Sequence, residues 1–332
     1  MGGVSFGGGG VPPEPWGLRS AARGSGCTKN RYNSTNITLR PNRRCAMKPG
    51  KFEHYEPTSI DQAVMILADV ADQDGRVLAG GQTLVPAMAL RLARPAFLVD
   101  INRIEELRRA EVRDGALEIG ACVRHAAFHQ PVVPGPLGRL LAQVVRHIAH
   151  LPIRTRGTFC GSIANADPAS EWCLVSSTLD AEFVVRSVGR ERRIPAAEFF
   201  LGYMATALEP AELLVAARLP LLGEETRFGF EEYSRRAGDF AQAMALAVFE
   251  LHDGVMRNVR IGVGGVEDRT RRLAAAEACL EGIAPDAQEF QRAADAAAQQ
   301  VQPSDSGADE QAYRRDLVRA VVRRALDKGM QQ

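Results

Sequence analysis

From position 47 onward, apolar and polar residues recur with periods that predict their elements. Ala63, Val64, Ile66 and Leu67 fall at helical spacing, and the preceding Ser59-Ile-Asp-Gln62 predicts a capping box. Arg76-Val-Leu-Ala79 reads as a short strand that stops at Gly80-Gly81, and the next stretch, Leu84 to Leu92, suits a helix. Phe97-Leu-Val-Asp-Ile101 reads as a second buried strand. Leu117 and Ile119 flank Glu118, the alternation of a half-exposed strand. Leu137, Leu140, Leu141, Val144, Val145 and Ile148 share one helical face. Residues 220–225 read as a linker. Beyond it, residues 229–265 predict two or three strands around an Ala-rich segment, and residues 269–281 and 310–327 predict helices. In the last helix Tyr313, Leu317, Val318, Val321, Val322, Ala325 and Leu326 line one side, with Arg314, Arg315, Arg323 and Arg324 mostly outside. No internal repeat is present. The reading is an α+β chain in three pieces, roughly 47–103, 104–222 and 223–329.

Residues 1–46 break this pattern. They hold a glycine run, a Pro12-Pro13 pair and many Arg and Asn, with almost no apolar periodicity. Such a segment cannot offset its ordering entropy, so it is expected to be a disordered or non-native extension, with Met47 as the natural start. It lacks the apolar stretch of a secretory signal. The whole chain of 332 residues is long enough for two or three cores. Its 41 Lys and Arg against 40 Asp and Glu give no support for nucleic acid or an anionic membrane as partner. Six cysteines, with no Cys-x-x-Cys pair, point to free thiols in a reducing, cytoplasmic setting and supply no iron–sulfur ligand set.

Two loops carry the candidate chemistry. Ala79-Gly-Gly-Gln-Thr-Leu84 joins a strand to a helix. Adjacent glycines let backbone approach an anion closely, successive N–H groups can cradle phosphate, and Thr83 adds a hydroxyl. An ordinary glycine turn fits the same residues. The second loop spans residues 156–171, Arg156-Gly-Thr-Phe-Cys-Gly-Ser-Ile-Ala-Asn-Ala-Asp-Pro-Ala-Ser-Glu171. Thr158, Ser162 and Asn165 suit a pyrophosphate and Glu171 suits sugar or ribityl hydroxyls, while a polar surface loop with an Asp167-Pro168 turn is the plainer alternative. Neither loop is a G-x-G-x-x-G or Walker A sequence, so a dinucleotide site here belongs to another fold. His125 with His129, and His147 with His150, are spaced for one face, but no third metal ligand is evident and solvent-exposed or structural roles suit them better. Arg154 and Arg156 are candidates for neutralising pyrophosphate, or plain surface arginines. Cys160 reads as a packing thiol.

Together these residues identify a resemblance. From Met47 on, the chain resembles the FAD-binding medium subunit of the molybdenum hydroxylases, the family of carbon monoxide dehydrogenase medium chains and the xanthine dehydrogenase flavin domain. The resemblance rests on the opening Phe52 to Pro57 segment, on both loops, on Glu232-Tyr-Ser-Arg-Arg-Ala-Gly-Asp-Phe-Ala241 and on the Tyr313-Arg-Arg helix. It implies the two-subdomain FAD-binding fold of the vanillyl-alcohol-oxidase (PCMH) type over 47–222, divided at 103/104, followed by a small C-terminal antiparallel sheet with helices over 223–329. It implies that Ala79, Gly80, Gly81, Gln82, Thr83 and Leu84 hold the FAD pyrophosphate. Thr158, Gly161, Ser162 and Asn165 would line its other side, Glu171 would be the acidic contact, and the backbone of Leu213 or Leu214 would lie near the flavin ring.

The implied function is electron relay. A large molybdopterin subunit would hydroxylate substrate, a small [2Fe-2S] subunit would carry the electrons, and FAD on this chain would pass them to an external acceptor. No catalytic residue and no metal ligand is implied on this chain, and the assembly would be a dimer of heterotrimers. A stand-alone flavoprotein oxidase or reductase, and a scaffold that has lost FAD, are the alternatives. Two departures bear on this reading. Thr158-Phe-Cys-Gly-Ser162 replaces the family's Thr-Ile-Gly-Gly-Asn, so Cys160 would be strained by about 1 kcal/mol or more if its glycine needed positive φ. Glu231 stands where some members carry a lysine near the flavin.

Overall fold

The computed structural model describes residues 47–303 and 307–332; the expected N-terminal extension lies outside the described residues. Three short parallel strands open the fold: β1 (Glu53–Tyr55), β2 (Gly75–Leu78) and β3 (Phe97–Asp100), in the order β1-β3-β2. The crossovers that parallel pairing demands are α1 (Ile60–Val70) and α2 (Leu84–Ala89). The capping box at α1 forms with one arm displaced. Ser59 Oγ accepts from Gln62 N at 3.2 Å, but Gln62 Oε1 accepts from Thr58 N, at 3.0 Å, one residue earlier than a reciprocal box requires. α1 buries Ala63, Val64 and Leu67 as their spacing predicts, with Ile60 and Val70 extending the stripe and Ile66 only partly buried.

The second subdomain is an antiparallel sheet. Its strands are β4 (Ala110–Arg113), β5 (Ala116–Gly120), β6 (Glu182–Ser187), β7 (Arg190–Pro195) and, late in the chain, β10 (Leu213–Pro220). β10 inserts between β5 and β6, giving the order β4-β5-β10-β6-β7. Between these strands lie α3 (Gly135–Val144), α4 (Leu151–Arg154), α5 (Phe159–Asn165), α6 (Glu171–Thr178), α7 (Ala196–Phe199) and the ribbon β8 (Phe200–Gly202) with β9 (Ala205–Thr206). Leu117 and Ile119 are fully buried, as their alternation predicts.

The C-terminal part is a sheet in the order β11-β12-β13-β14: β11 (Thr226–Tyr233), β12 (Ala243–His252), β13 (Val255–Gly264) and β14 (Arg271–Arg272). Three helices follow: α8 (Ala274–Ala278), α9 (Ala287–Gln300) and α10 (Ala308–Met330). Along β12, Met244, Leu246 and Val248 join the core of the FAD-binding subdomains, while Ala243, Ala245, Ala247 and Phe249 join the core under the helices. Small residues on the helix side let the helices close in; large ones fill the gap to the first core.

Three sequence expectations change here. The helix expected over 269–281 shrinks to α8. Ahead of it Arg271 and Arg272 extend the sheet, pinned by Glu267 at 2.7 Å and Glu277 at 2.8 Å. The helix α9 was not expected, because its buried stripe of Phe290, Ala293, Ala294, Ala297 and Ala298 is mostly alanine and gives little apolar signal. Tyr313, assigned to the inner side of the last helix, is 43% exposed; burial in α10 begins at Val318.

Candidate cofactor site

The first loop leaves β2 at Leu78 and enters α2 at Leu84. Gly81 has φ +71°, so the turn takes a left-handed residue that only glycine adopts freely. The amides of Gly80, Gly81, Gln82, Thr83 and Leu84 donate to no other described residue. Five successive backbone donors at a strand-to-helix turn, together with the exposed Thr83 hydroxyl, make a concave anion cradle. Gln82 folds back, its Nε2 donating to Gly80 O at 3.1 Å.

The two predicted loops meet. A methyl group on Gly80 would lie 2.5 Å from Arg156 O and 2.7 Å from Gly157 Cα, so the loops touch backbone to backbone. Asn102 and Arg124, neither flagged by the sequence, stitch them. Asn102 Nδ2 donates to Ala79 O at 2.7 Å, and Arg124 donates from one nitrogen to Asn102 Oδ1 at 2.5 Å and from the other to Arg156 O. Asp100 Oδ1 fixes Asn102 from behind, at 2.9 Å from its backbone N.

The second loop is built on an aromatic anchor. Phe159 is fully buried, its ring centroid 5.7 Å from Phe128 and 4.9 Å from Trp172. Of the exposed and structural roles expected for His125, it has the structural one: it is buried, and Trp172 Nε1 donates to its Nδ1 at 2.9 Å. Burial, with Arg124 and Arg154 adding repulsion, pushes its pKa down to about 4, so it is neutral. His129 accepts from Arg154 Nε at 3.1 Å, which occupies that arginine inside the fold rather than at a pyrophosphate.

Thr158 is buried and caps α5, its Oγ1 accepting from Gly161 N at 3.0 Å. On the same short helix the side chains of Ser162 and Asn165 make no hydrogen bond to the described residues and are half-buried. Their polar groups are therefore unspent on the described residues. Cys160 sits inside α5 and is absent from the positive-φ residues, so the strain expected of it does not arise. Its Sγ reaches Ile119 O at 3.4 Å, and burial raises its pKa far above that of a free thiol, so it is an inert packing group. Positive φ falls instead on Ala166, at +48°, where the helix ends.

Glu171 opens α6 at the end of this loop. Burial first, then the nearby Glu232 and Asp167, push its pKa up to about 8. Leu214 stands apart from the polar groups. It is buried in β10 opposite Val185, next to the bulge that interrupts pairing before Ala216. Glu231 faces α10, 2.5 Å from Lys328 Nζ and 3.3 Å from Arg324. Its neighbour Glu232 faces the FAD-binding subdomains.

Free amides, unspent hydroxyl and amide donors and a close backbone approach are what the pyrophosphate of a dinucleotide requires, so the residues present fit FAD. The fold and this two-loop cleft define a flavoprotein of the FAD-binding subdomain type. The description FAD binding domain in molybdopterin dehydrogenase matches residues 50–222, and CO dehydrogenase flavoprotein C-terminal domain matches residues 228–328. The chain belongs to this family of molybdopterin dehydrogenase flavoproteins. It is 35% identical to the 6-hydroxypseudooxynicotine dehydrogenase complex subunit alpha of Paenarthrobacter nicotinovorans, over 86% of this chain and 96% of that one. It is 34% identical to the carbon monoxide dehydrogenase medium chain of Hydrogenophaga pseudoflava, over 85% and 98%. Among solved structures, a chain of carbon monoxide dehydrogenase from Hydrogenophaga pseudoflava superposes with a TM-score of 0.81 at 35% identity, covering 85% of this chain and 98% of that one. Quinoline 2-oxidoreductase from Pseudomonas putida 86 gives 0.78 at 33% identity, covering 86% and 98%. Among the described residues no helix is long and apolar enough to cross a membrane.

Proposed function

We propose that this chain holds FAD in the cleft between its two loops and works as the electron-relay subunit of a molybdenum hydroxylase. A partner's [2Fe-2S] clusters would deliver the electrons, and an external acceptor would take them. The observation that carries this is the loop contact at Gly80, which joins the turn bearing five free amides to the segment that leads into α5, where Ser162 and Asn165 stand. Bound FAD supplies the redox chemistry, accepting electrons and returning them to an acceptor. The chain's own residues bind and orient. The Gly80–Leu84 amides and Thr83 take the phosphate oxygens. Ser162 and Asn165 close the other side, Glu171 meets a hydroxyl, and Asn102 with Arg124 hold the two loops in register.

Partners of two kinds complete the reading: a small [2Fe-2S] subunit and a large molybdopterin subunit, arranged as a dimer of heterotrimers. Exposed Val85, Leu90 and Leu92, on and just after α2, support a face that docks another chain. The test is to purify the chain from Met47 onward, alone and co-expressed with its neighbouring subunits, and to record visible spectra with the released cofactor identified. A flavin spectrum with FAD released, gaining iron–sulfur absorbance only with the partners, is expected. Colourless protein in both preparations rejects the reading.

A further inference from the structure

In β11, Phe228, Phe230 and Glu232 stand in one row, paired with Val248, Leu246 and Met244 of β12. All of these except Glu232 join the core shared with the FAD-binding subdomains. A carboxyl group therefore stands where the pattern calls for an apolar side chain. Its side chain is only 4% exposed, and its Oε2 is buried without a hydrogen-bond partner. The nearest cation candidate, His147 Nδ1, lies at 3.6 Å, beyond hydrogen-bond range. Lys328 and Arg324 are taken up by Glu231 on the opposite face of the strand.

The strand end also abuts the second loop. Met244 pairs with both Glu232 and Gly264, and next to Gly264 the amide of Gly265 donates to Pro168 O at 2.9 Å. Glu232 thus stands at the strand end that abuts the second loop, where its charge raises the Glu171 pKa. An ionised, unpartnered carboxylate in such a place costs several kcal/mol. It either keeps a proton or receives a donor from a bound molecule.

We propose that Glu232 and Glu171 form a proton-sharing carboxyl pair beside the second loop, which accepts a hydrogen bond from an N–H or O–H of bound FAD and releases a proton as it does. The proposal rests on the FAD reading. The surrounding groups agree with it. Burial and then Glu231 push Glu232 up to about 7, and burial and then Glu232 push Glu171 up to about 8. Asp167 adds to the negative charge around Glu171. Burial and Lys328 lower the His147 pKa against the opposing pull of Glu231, so this ring supplies no positive charge at neutral pH; it packs edge-on against Phe230 at 4.8 Å. The unliganded pair thus retains a proton at neutral pH. A donated hydrogen bond favours the ionised form, so the complex holds fewer protons than the free protein, and FAD affinity must rise with pH until both carboxyls are ionised, near pH 8.

The test is calorimetry of FAD binding to the deflavinated complex, in phosphate and in Tris, whose ionisation heats differ. It is run at pH 6.5, 7.5 and 8.5, for the wild type and Glu232→Gln. Expected are net proton release at pH 7.5, a smaller release in Glu232→Gln, and a wild-type affinity rising by at most about tenfold per pH unit for one released proton. Equal heats in both buffers at pH 7.5, proton uptake, or undiminished release in Glu232→Gln overturns the proposal. If Glu232→Gln fails to fold, the wild type decides: release at 7.5 that fades at 8.5 supports the pair, and none rejects it. Failure of FAD to bind at all counts against the FAD reading instead, so the two failures are distinguishable.

Discussion

Gly80 is the residue on which the two loops turn. An added methyl group meets backbone atoms of Arg156 and Gly157, which cannot rotate away as a side-chain end does. Gly80→Ala should part the loops while leaving the distant sheets intact. FAD affinity should fall at least tenfold, since about 1.4 kcal/mol of displacement suffices; the flavin-to-protein absorbance ratio of purified complex checks this. The two glutamates make a prediction for the protein without FAD. Their folded pKa values, about 7 and about 8, lie above the ordinary carboxyl value. The folded chain therefore keeps protons that the unfolded chain has already lost, and this contribution is full below the unfolded pKa and vanishes as pH rises through the folded values. Melting temperature should decline from pH 5.5 to 8.5, and Glu232→Gln should flatten the decline by melting higher at pH 8.5. Parallel melting curves for the two proteins across that range would show that Glu232 holds no proton of this kind. At this scale the glycine pair was legible as the turn between a strand and a helix, because glycine is the residue that takes such a turn freely. Asn102, Arg124 and Glu232 were not, since each acts on residues far along the chain and carries no local signature.

Among the elements, the short helix α5 depends most on a single local device. With seven residues it cannot hold itself together, and Thr158 Oγ1 satisfies one of its free amides. Thr158→Ala should cost about 1 kcal/mol, with Thr158→Ser recovering most of it, as read by thermal or chemical denaturation. Elements with branched apolar residues and punctuating glycines were read correctly: α1, β2, β3 and the helix carrying Leu137 and Leu141. The errors share a cause. In α9 the core contact is made by alanines, which bury fully but barely differ from the surface in apolar weight. At residues 269–272 the chain follows ion pairs to Glu267 and Glu277 rather than its own helical pattern.

At the scale of the whole described chain, the C-terminal sheet is covered on both faces, by the helices on one side and by the FAD-binding subdomains on the other. Its tightest approach to another element's backbone is Gly229 of β11, where an added methyl group would lie 1.9 Å from Ala325 O of α10. Gly229→Ala should unseat that helix and cost about 3 kcal/mol or more, visible as a large fall in melting temperature. The double covering also imposes an order on synthesis. Residues up to 222 leave the ribosome with the phosphate cradle encoded but with one apolar flank bare, because Phe228, Phe230 and the inward side of β12 have yet to emerge. The wall that carries Glu232 follows only after the linker. On the proposed FAD reading, loading waits for residues beyond the linker, and a ribosome stalled there would present a half-built site with a sticky surface to whatever chaperone is nearest.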